Sequence, residues 1–332
     1  MNAAVAAALS DEMRSDPTVV FMGEDIADHG GTFKTSEGML DEFGPERVRD
    51  TPISEMGFVG AALGAAVAGL RPVVEIMFFD FIGVALDQLA TQIAKFHYLS
   101  GGTVTVPLTL RASVGAGMGF AAQHSQTLEP WVLNQPGLTL AVASGPRTVY
   151  GLLRSAIRSD DPVVVLEPRN LYASREEFEP GLLPVPLGKA EMVQRGSDVT
   201  IVALGQTLPI SLEATRNAQG WTADVIDLLT LLPWDKSTVF ESVAQTGRLV
   251  IVEESPYTGG WGTEIAAHVG SEIFRDLKAP ITRITCPDVP VPFARSLEAR
   301  YLPSADYVAE QVGSLIATGE LPRPWFETQE AT

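Results

Sequence analysis

Short apolar runs of strand length alternate along this chain with stretches of helical length, and that alternation limits the fold more than any other feature. Thr18-Val-Val-Phe-Met22, Val73-Val-Glu-Ile-Met77, Leu138-Thr-Leu-Ala-Val142 and Val163-Val-Val-Leu166 are each four or five residues of mostly branched or aromatic side chains. Residues 103–111 form another such run, with Pro107 inside it, which predicts an edge or irregular position because proline cannot donate to a ladder. Helices are predicted over 1–16, ended before Pro17, over about 79–98, closed by Gly101-Gly102, and over 146–158. Strands separated by helices imply a mostly parallel sheet covered on both faces. The pattern breaks into prolines, acids and turns at 167–188. It then resumes with strands near 199–203, 224–228, 249–252 and 281–284 and a last helix near 305–316. The expected architecture is α/β with two doubly wound domains, residues 1–166 and 189–332, joined by a linker at 167–188.

At 332 residues two domains are the natural expectation. A net charge of −18 lacks the basic face that nucleic acid demands and disfavours anionic membrane surfaces. The single cysteine, Cys286, rules out an internal disulfide and fits a small buried hydrophobe in a reducing compartment. The first residues lack the basic start and cleavage pattern of a secretory leader, and no uninterrupted apolar run reaches membrane-spanning length. The expectation is a soluble cytoplasmic protein.

The most unusual segment is DTPISEMGFVGAALGAAVAGLR at 50–71. Pro52 makes the approach extended, Ser54 is a suitable N-cap, and Glu55 stands at the first helical position. Beyond it the helix is so poor in charge that burial on most sides is expected. Gly57, Gly60, Ala61, Gly64, Ala65 and Ala68 recur at three- and four-residue spacings, a face with almost no side chain that lets another backbone come close. Alone, Glu55 is explained by the helix dipole.

Its company adds to that. Gly23-Glu24-Asp25 lies upstream and Ala121-Ala-Gln-His-Ser-Gln126 downstream. With Thr51-Pro-Ile-Ser-Glu55 these motifs resemble the beta subunits of thiamine diphosphate-dependent 2-oxo acid dehydrogenases, in the transketolase-like superfamily, over essentially the whole chain. The resemblance implies a pyrimidine-binding domain followed by a transketolase carboxyl-terminal domain. It implies that Glu55 hydrogen-bonds the aminopyrimidine ring nitrogen of the cofactor, that Glu24 lies near the pyrimidine, and that Phe81 of Ile76-Met-Phe-Phe-Asp-Phe81 stacks on it. His124 then serves as proton donor or acceptor for the reacting group or the arriving lipoyl arm. The glycines at 115, 117 and 119 before it mark a mobile or closely approached backbone and make a poor dinucleotide fingerprint. His29, His97 and His268 are expected to be structural.

The family anchors magnesium and the diphosphate with a Gly-Asp-Gly motif, and this chain contains none. The resemblance therefore implies an alpha subunit that holds both, an alpha-2-beta-2 heterotetramer, and active sites at alpha–beta interfaces. It further implies potassium bound through Leu108, Ala156, Ser159 and Asp161, although the family often has an acid where Ser159 stands. The carboxyl-terminal domain, including Glu253-Glu254 and the Gly259–Gly262 turn, would help dock the lipoyl acyltransferase component, and the extended tail PRPWFETQEAT implies a docking surface that differs from relatives. The function expected is decarboxylation of a 2-oxo acid, pyruvate foremost, with acyl transfer to lipoamide. Two alternatives stay open: an acetoin dehydrogenase beta subunit, and a catalytically inactive assembly subunit.

Overall fold

A computed structural model describes residues 1–178, 181 and 184–327. They divide into two compact units, one formed by residues 1–115, 123–187 and 231–233, the other by 116–122, 188–230 and 234 onward. Both are α/β, as the alternation of the sequence requires.

The first unit is built on a seven-stranded sheet. Its strands are β1 (Val19–Gly23), β2 (Val48–Asp50), β3 (Arg71–Ile76), β4 (Thr109–Val114), β5 (Thr139–Val142), β6 (Val163–Pro168) and, from far along the chain, β10 (Thr230–Leu232). They lie in the order β10-β5-β6-β4-β3-β1-β2, and every pairing among β1 to β6 is parallel. Both β4 and β6 are buried at every position, which explains their continuous apolar character. On one face the Asn2–Ser15 helix packs on the Pro146–Arg158 helix. Glu12 is buried where they meet, and Arg154 and Arg158 each reach it at 2.7 Å, so the acid costs little there.

Several expectations need correction in this unit. The run at 103–111 is strand only from Thr109, and it continues to Val114. Pro107 precedes the ladder, whose first members pair only after it, and β4 lies between β3 and β6 rather than at an edge. The helix expected at 79–98 is four pieces: a 3-10 turn (Phe79–Phe81), an α segment (Ile82–Leu86), a π segment (Asp87–Ile93) and a final α segment (Ala94–Leu99). The wide π turn rotates the apolar stripe so that Ile82, Ala85, Leu89 and Ile93 all face inward. The Glu55–Val67 helix begins where expected, but it is not buried on most sides. Phe58, Val59, Ala62, Leu63 and Ala66 are buried, while Met56, Gly57, Ala61, Gly64 and Val67 are exposed.

β6 also runs two residues past its apolar core, so the segment expected as linker opens with Glu167 and Pro168 inside a strand. The reason is a row of charges across the sheet. Glu75 of β3 and Arg111 of β4 are register partners, and Glu167 of β6, which pairs with Ser113, stands two positions further along, diagonal to Arg111. Arg111 donates to Glu75, to both oxygens of Glu167 at 2.7 and 2.5 Å, and to Thr35 Oγ1 at 3.3 Å. The Tyr172 hydroxyl donates to Glu167 at 2.8 Å. Burial opposes the charge on Arg111, but the two carboxylates hold it protonated; burial outweighs Arg111 at Glu75 and raises that acid.

The second unit carries a five-stranded sheet, β7 (Glu191–Gln194), β8 (Val199–Ala203), β9 (Ala223–Asp227), β11 (Leu249–Pro256) and β12 (Thr282–Cys286), ordered β12-β11-β8-β9-β7. It is parallel except for β7, which pairs antiparallel with β9 at the edge. The Ala305–Thr318 helix is capped by Ser304, whose Oγ accepts the Tyr307 N–H at 3.3 Å, and it ends at Gly319 in the left-handed conformation. Its Val308, Val312 and Leu315 join Val199, Ile201 and Trp221 in the core. Trp325, in the extended tail, belongs to the same core: it is buried, and its indole Nε1–H donates to the Thr285 carbonyl at 2.8 Å. Residues 328–332 of that tail lie outside the described residues. Trp325→Phe should lower stability by about 1–2 kcal/mol, from the lost buried bond and a small void. Urea denaturation checks this; an unchanged midpoint would show that Trp325 is not part of the core. Among the described residues no helix is long and apolar enough to cross a membrane.

Candidate active site

Parallel sheets offer binding positions where the carboxyl ends of the strands meet loops. In the first unit four adjacent strands, β4-β3-β1-β2, bring the expected residues to one such edge. Glu24 follows β1, Thr51 to Glu55 follow β2, Phe78 to Phe81 follow β3, and Gly115 follows β4. Neighbouring strands are about 4.8 Å apart, so these loops lie side by side. The β1–β2 corner is fastened by the Thr51 N–H bonding to the Gly23 carbonyl and by Asp50, whose carboxylate accepts the Ala27 N–H at 2.7 Å.

Glu24 and Glu55 are each only 6% exposed and face one another closely enough to interact electrically. Burial first, and the Glu55 and Asp25 charges next, push the Glu24 carboxyl up to about 7, although the Ser54 N–H donates to it. Ser54 thus serves through its backbone. Its side chain makes no capping bond to the helix, contrary to the sequence expectation. Glu24 Oε1 is buried with no hydrogen-bond partner, as are Thr51 Oγ1, Asp80 Oδ2 and Ser125 Oγ. A cluster of unanswered polar atoms along one edge fits a bound group rich in donors and acceptors, such as an aminopyrimidine.

An acid whose folded pKa is raised destabilises the fold as pH rises through the interval between its unfolded and folded values. For Glu24 that interval runs from 4.5 to about 7. Glu24→Gln should therefore stabilise the isolated chain by up to about 3 kcal/mol at about pH 8 and by little near pH 4. Denaturation midpoints at the two pH values test this, and an equal effect at both would remove the electrostatic account.

The aromatic wall is larger than the sequence suggested. Phe81 and His124 meet edge-on with ring centroids 5.5 Å apart, and Phe78 completes a triangle with them at 5.9 Å from Phe81 and 5.0 Å from His124. Phe33 extends the wall behind Phe78 at 5.6 Å. Asp80, between two of these phenylalanines, accepts the backbone and side-chain N–H groups of Gln126 at 2.9 and 3.0 Å. Phe78 and Asp80 were legible only as part of an aromatic run.

The glycine loop is closely approached by two carboxylates. Residues 116–122 group with the second unit, where Glu254 accepts the Ala116 N–H and Glu298 accepts those of Gly117 and Gly119 at 2.7 and 2.9 Å. Gly117 and Gly119 both have positive φ, which aims their N–H groups at one carboxylate in the manner of an anion nest. Glu254 is therefore committed inside the unit. Glu253 is fully buried, paired with Arg283 at 2.7 Å and the Gly262 N–H at 2.9 Å, and burial pushes it to about 7. Neither acid is free to face an acyltransferase, which corrects that part of the docking expectation.

The four positions proposed for potassium gather at the opposite end of the first sheet. The Ser159 carbonyl there already accepts an Arg71 Nη1–H at 2.8 Å. The Leu108 and Ala156 carbonyls accept the Val163 and Ser159 N–H groups, and the Asp161 N–H donates to Ser159 Oγ. A cation bound there would share a carbonyl with a guanidinium. Of the remaining histidines, His97 Nδ1 bonds to the Val104 carbonyl and His268 lies between Glu264 and Glu272. Among the described residues no group of three or more His, Cys, Asp or Glu is arranged to hold a metal ion.

Residues 1–175 match the family model of the transketolase pyrimidine binding domain, and residues 188–308 that of the transketolase C-terminal domain. The beta subunit of acetoin:2,6-dichlorophenolindophenol oxidoreductase from Cupriavidus necator is 44% identical, the match covering 92% of this chain and 94% of that one. The pyruvate dehydrogenase E1 component subunit beta from Rickettsia felis is 43% identical, with 92% and 94% covered. The chain belongs to this family of transketolase-like beta subunits. A solved structure described as a split gene transketolase, inactive beta4 tetramer, shares the fold of this family member at a TM-score of 0.78, with 25% identity and coverage of 95% and 97%. Within the family frame the Glu24–Glu55 pair and the Phe78–Phe81–His124 wall both fall in the pyrimidine-binding domain.

Proposed function

We propose that this chain is the beta subunit of a thiamine diphosphate-dependent dehydrogenase that acts on a 2-oxo acid, with pyruvate as the leading substrate, or on acetoin. It is active only with an alpha subunit. The observation that carries the reading is the buried Glu24–Glu55 pair, with an unanswered carboxylate oxygen, on the sheet edge that also carries Phe81 and His124. Thiamine diphosphate supplies a nucleophilic thiazolium carbon when bound. Glu55 holds a proton at the pyrimidine ring nitrogen, and its low solvation strengthens that one directed bond. Glu24 closes the pyrimidine side, and its pKa, raised to about 7, lessens the second negative charge beside Glu55 near neutral pH. Phe81 and Phe78 shape an apolar wall that excludes water. His124 gives or takes a proton at the substrate oxygen or the lipoyl sulfur.

The alpha subunit and its magnesium enter because the sequence holds no Gly-Asp-Gly diphosphate anchor. The exposed small-residue face of the Glu55–Val67 helix, continued by Ile53, Met56 and Leu70, supplies an apolar surface for a subunit contact. Transfer to a lipoyl acyltransferase remains part of the proposal. Its docking surface excludes Glu253, Glu254 and Trp325, which face inward.

Calorimetric titration of thiamine diphosphate with magnesium tests this, using the full chain alone and mixed with its alpha partner. Binding is expected only in the mixture, which should then turn over pyruvate or acetoin. Tight binding by this chain alone would overturn the shared site. A mixture that binds the cofactor but turns over neither pyruvate, acetoin nor a branched-chain 2-oxo acid would establish the inactive assembly subunit instead.

A further inference from the structure

Arg169 has no part in the chemistry above, yet it is tied to the backbone of His124. It opens the short Arg169–Leu171 turn after β6 and is only 1% exposed. Its Nη2 donates to two backbone carbonyls, those of Gly115 and His124. Its Nη1 lies 3.4 Å from Ser113 Oγ, and its Cζ sits 4.9 Å from the centre of the Phe78 ring. Phe78 in turn packs edge-on against the His124 imidazole at 5.0 Å. One guanidinium thus holds His124 twice, directly through its carbonyl and indirectly through the ring beside its imidazole.

The two carbonyls mark where the chain leaves β4 and where it returns. Between them lie the glycines of 115–119, and Gly115, Gly117, Gly119 and Ala121 all have positive φ. Such a segment has little intrinsic preference for one path; Glu254 and Glu298 hold residues 116–119 of it, and Arg169 fastens its two ends at Gly115 and His124. A planar fork of fixed donors suits that task, and bonds from a charged donor are stronger than neutral ones. We propose that Arg169 is a positioning residue for His124, closing the base of the 115–124 segment and fixing the imidazole against Phe78. This rests on the reading of His124 as the proton-handling group.

The test uses the full chain as Arg169→Gln and Arg169→Lys variants. With four histidines in the sequence, the His124 ring signal can be followed separately by NMR, and amide hydrogen exchange reports on 115–124. In Arg169→Gln the His124 signal should move while those of His29, His97 and His268 stay, and exchange across 115–124 should rise at least about tenfold. Arg169→Lys, with one point charge in place of the fork, should recover part of both. Assembled with the alpha subunit, Arg169→Gln should lose about tenfold or more in kcat, with substrate KM within about twofold and a displaced pH profile. A folded Arg169→Gln chain with unchanged His124 signal and exchange would overturn the proposal, as would wild-type kcat. Should that variant not fold, Arg169→Lys must still show the intermediate shift, and its absence would overturn the proposal. If wild type turns over no substrate, the proposed function falls, while the NMR and exchange results still decide the role of Arg169.

Discussion

Glu55→Gln, assembled with the alpha subunit, is expected to lose about 10²- to 10⁴-fold in turnover while the tetramer forms normally. The substitution keeps the shape of the side chain and removes its charge and its capacity to share a proton in a directed bond. Glu55 opens the Glu55–Val67 helix, and the amide still meets the positive end of the helix dipole without clash. Removing the Glu55 charge also removes one of the forces that raise Glu24, so the Glu24 titration should move down toward the ordinary carboxylate range. The two readouts separate chemistry from folding. Retained turnover in a correctly assembled tetramer would sink the assignment of Glu55.

The largest effect on stability is expected at Arg111. Replacing it with Met leaves Glu75 and Glu167 buried without their counter-ion, a loss of about 3–5 kcal/mol. That is a large share of the total for a typical domain, about 5–15 kcal/mol, so reduced yield of folded protein should accompany it. The sign of the pH dependence identifies the cause. Burial already raises Glu75 above its ordinary value, and loss of Arg111 raises it further. Its charged form then opposes folding increasingly as pH climbs above the ordinary carboxylate range. The deficit should be smallest at acidic pH, where the carboxyl is protonated, and largest above neutrality. Guanidinium denaturation at about pH 5 and about pH 8 measures this. A deficit independent of pH would point to lost packing instead.

That charged row also shows where the sequence was legible and where it was not. Strands such as Val163–Pro168 and helices such as Pro146–Arg158 announce themselves because burial imposes a local pattern on consecutive residues. Glu24 and Glu55 were legible because each lies in a short motif of recognisable composition. Glu75, Arg111 and Glu167 share no local pattern; they meet only because β3, β4 and β6 are neighbours in the sheet, with Arg111 opposite Glu75 and diagonal to Glu167, and that order follows from the whole fold. The sequence did contain a signal, one charged residue within or just beyond each of three apolar runs. The exposed side of the Glu55–Val67 helix was misjudged for a related reason. Low charge reports that a surface avoids water, but not whether this chain or another one covers it. Arg169 was invisible because its targets are carbonyls, which every residue has.

The late strand β10 has a consequence for how this protein is made. Residues 230–232 extend the first sheet beside β5, although three of the five strands of the second sheet precede them in the chain. During synthesis β5 therefore emerges with one side open and waits while roughly 90 further residues are added, several seconds at about 5–20 residues per second. For that interval it offers an unpaired edge to any passing nascent chain. A gene fragment stopped at residue 187 would make the wait permanent.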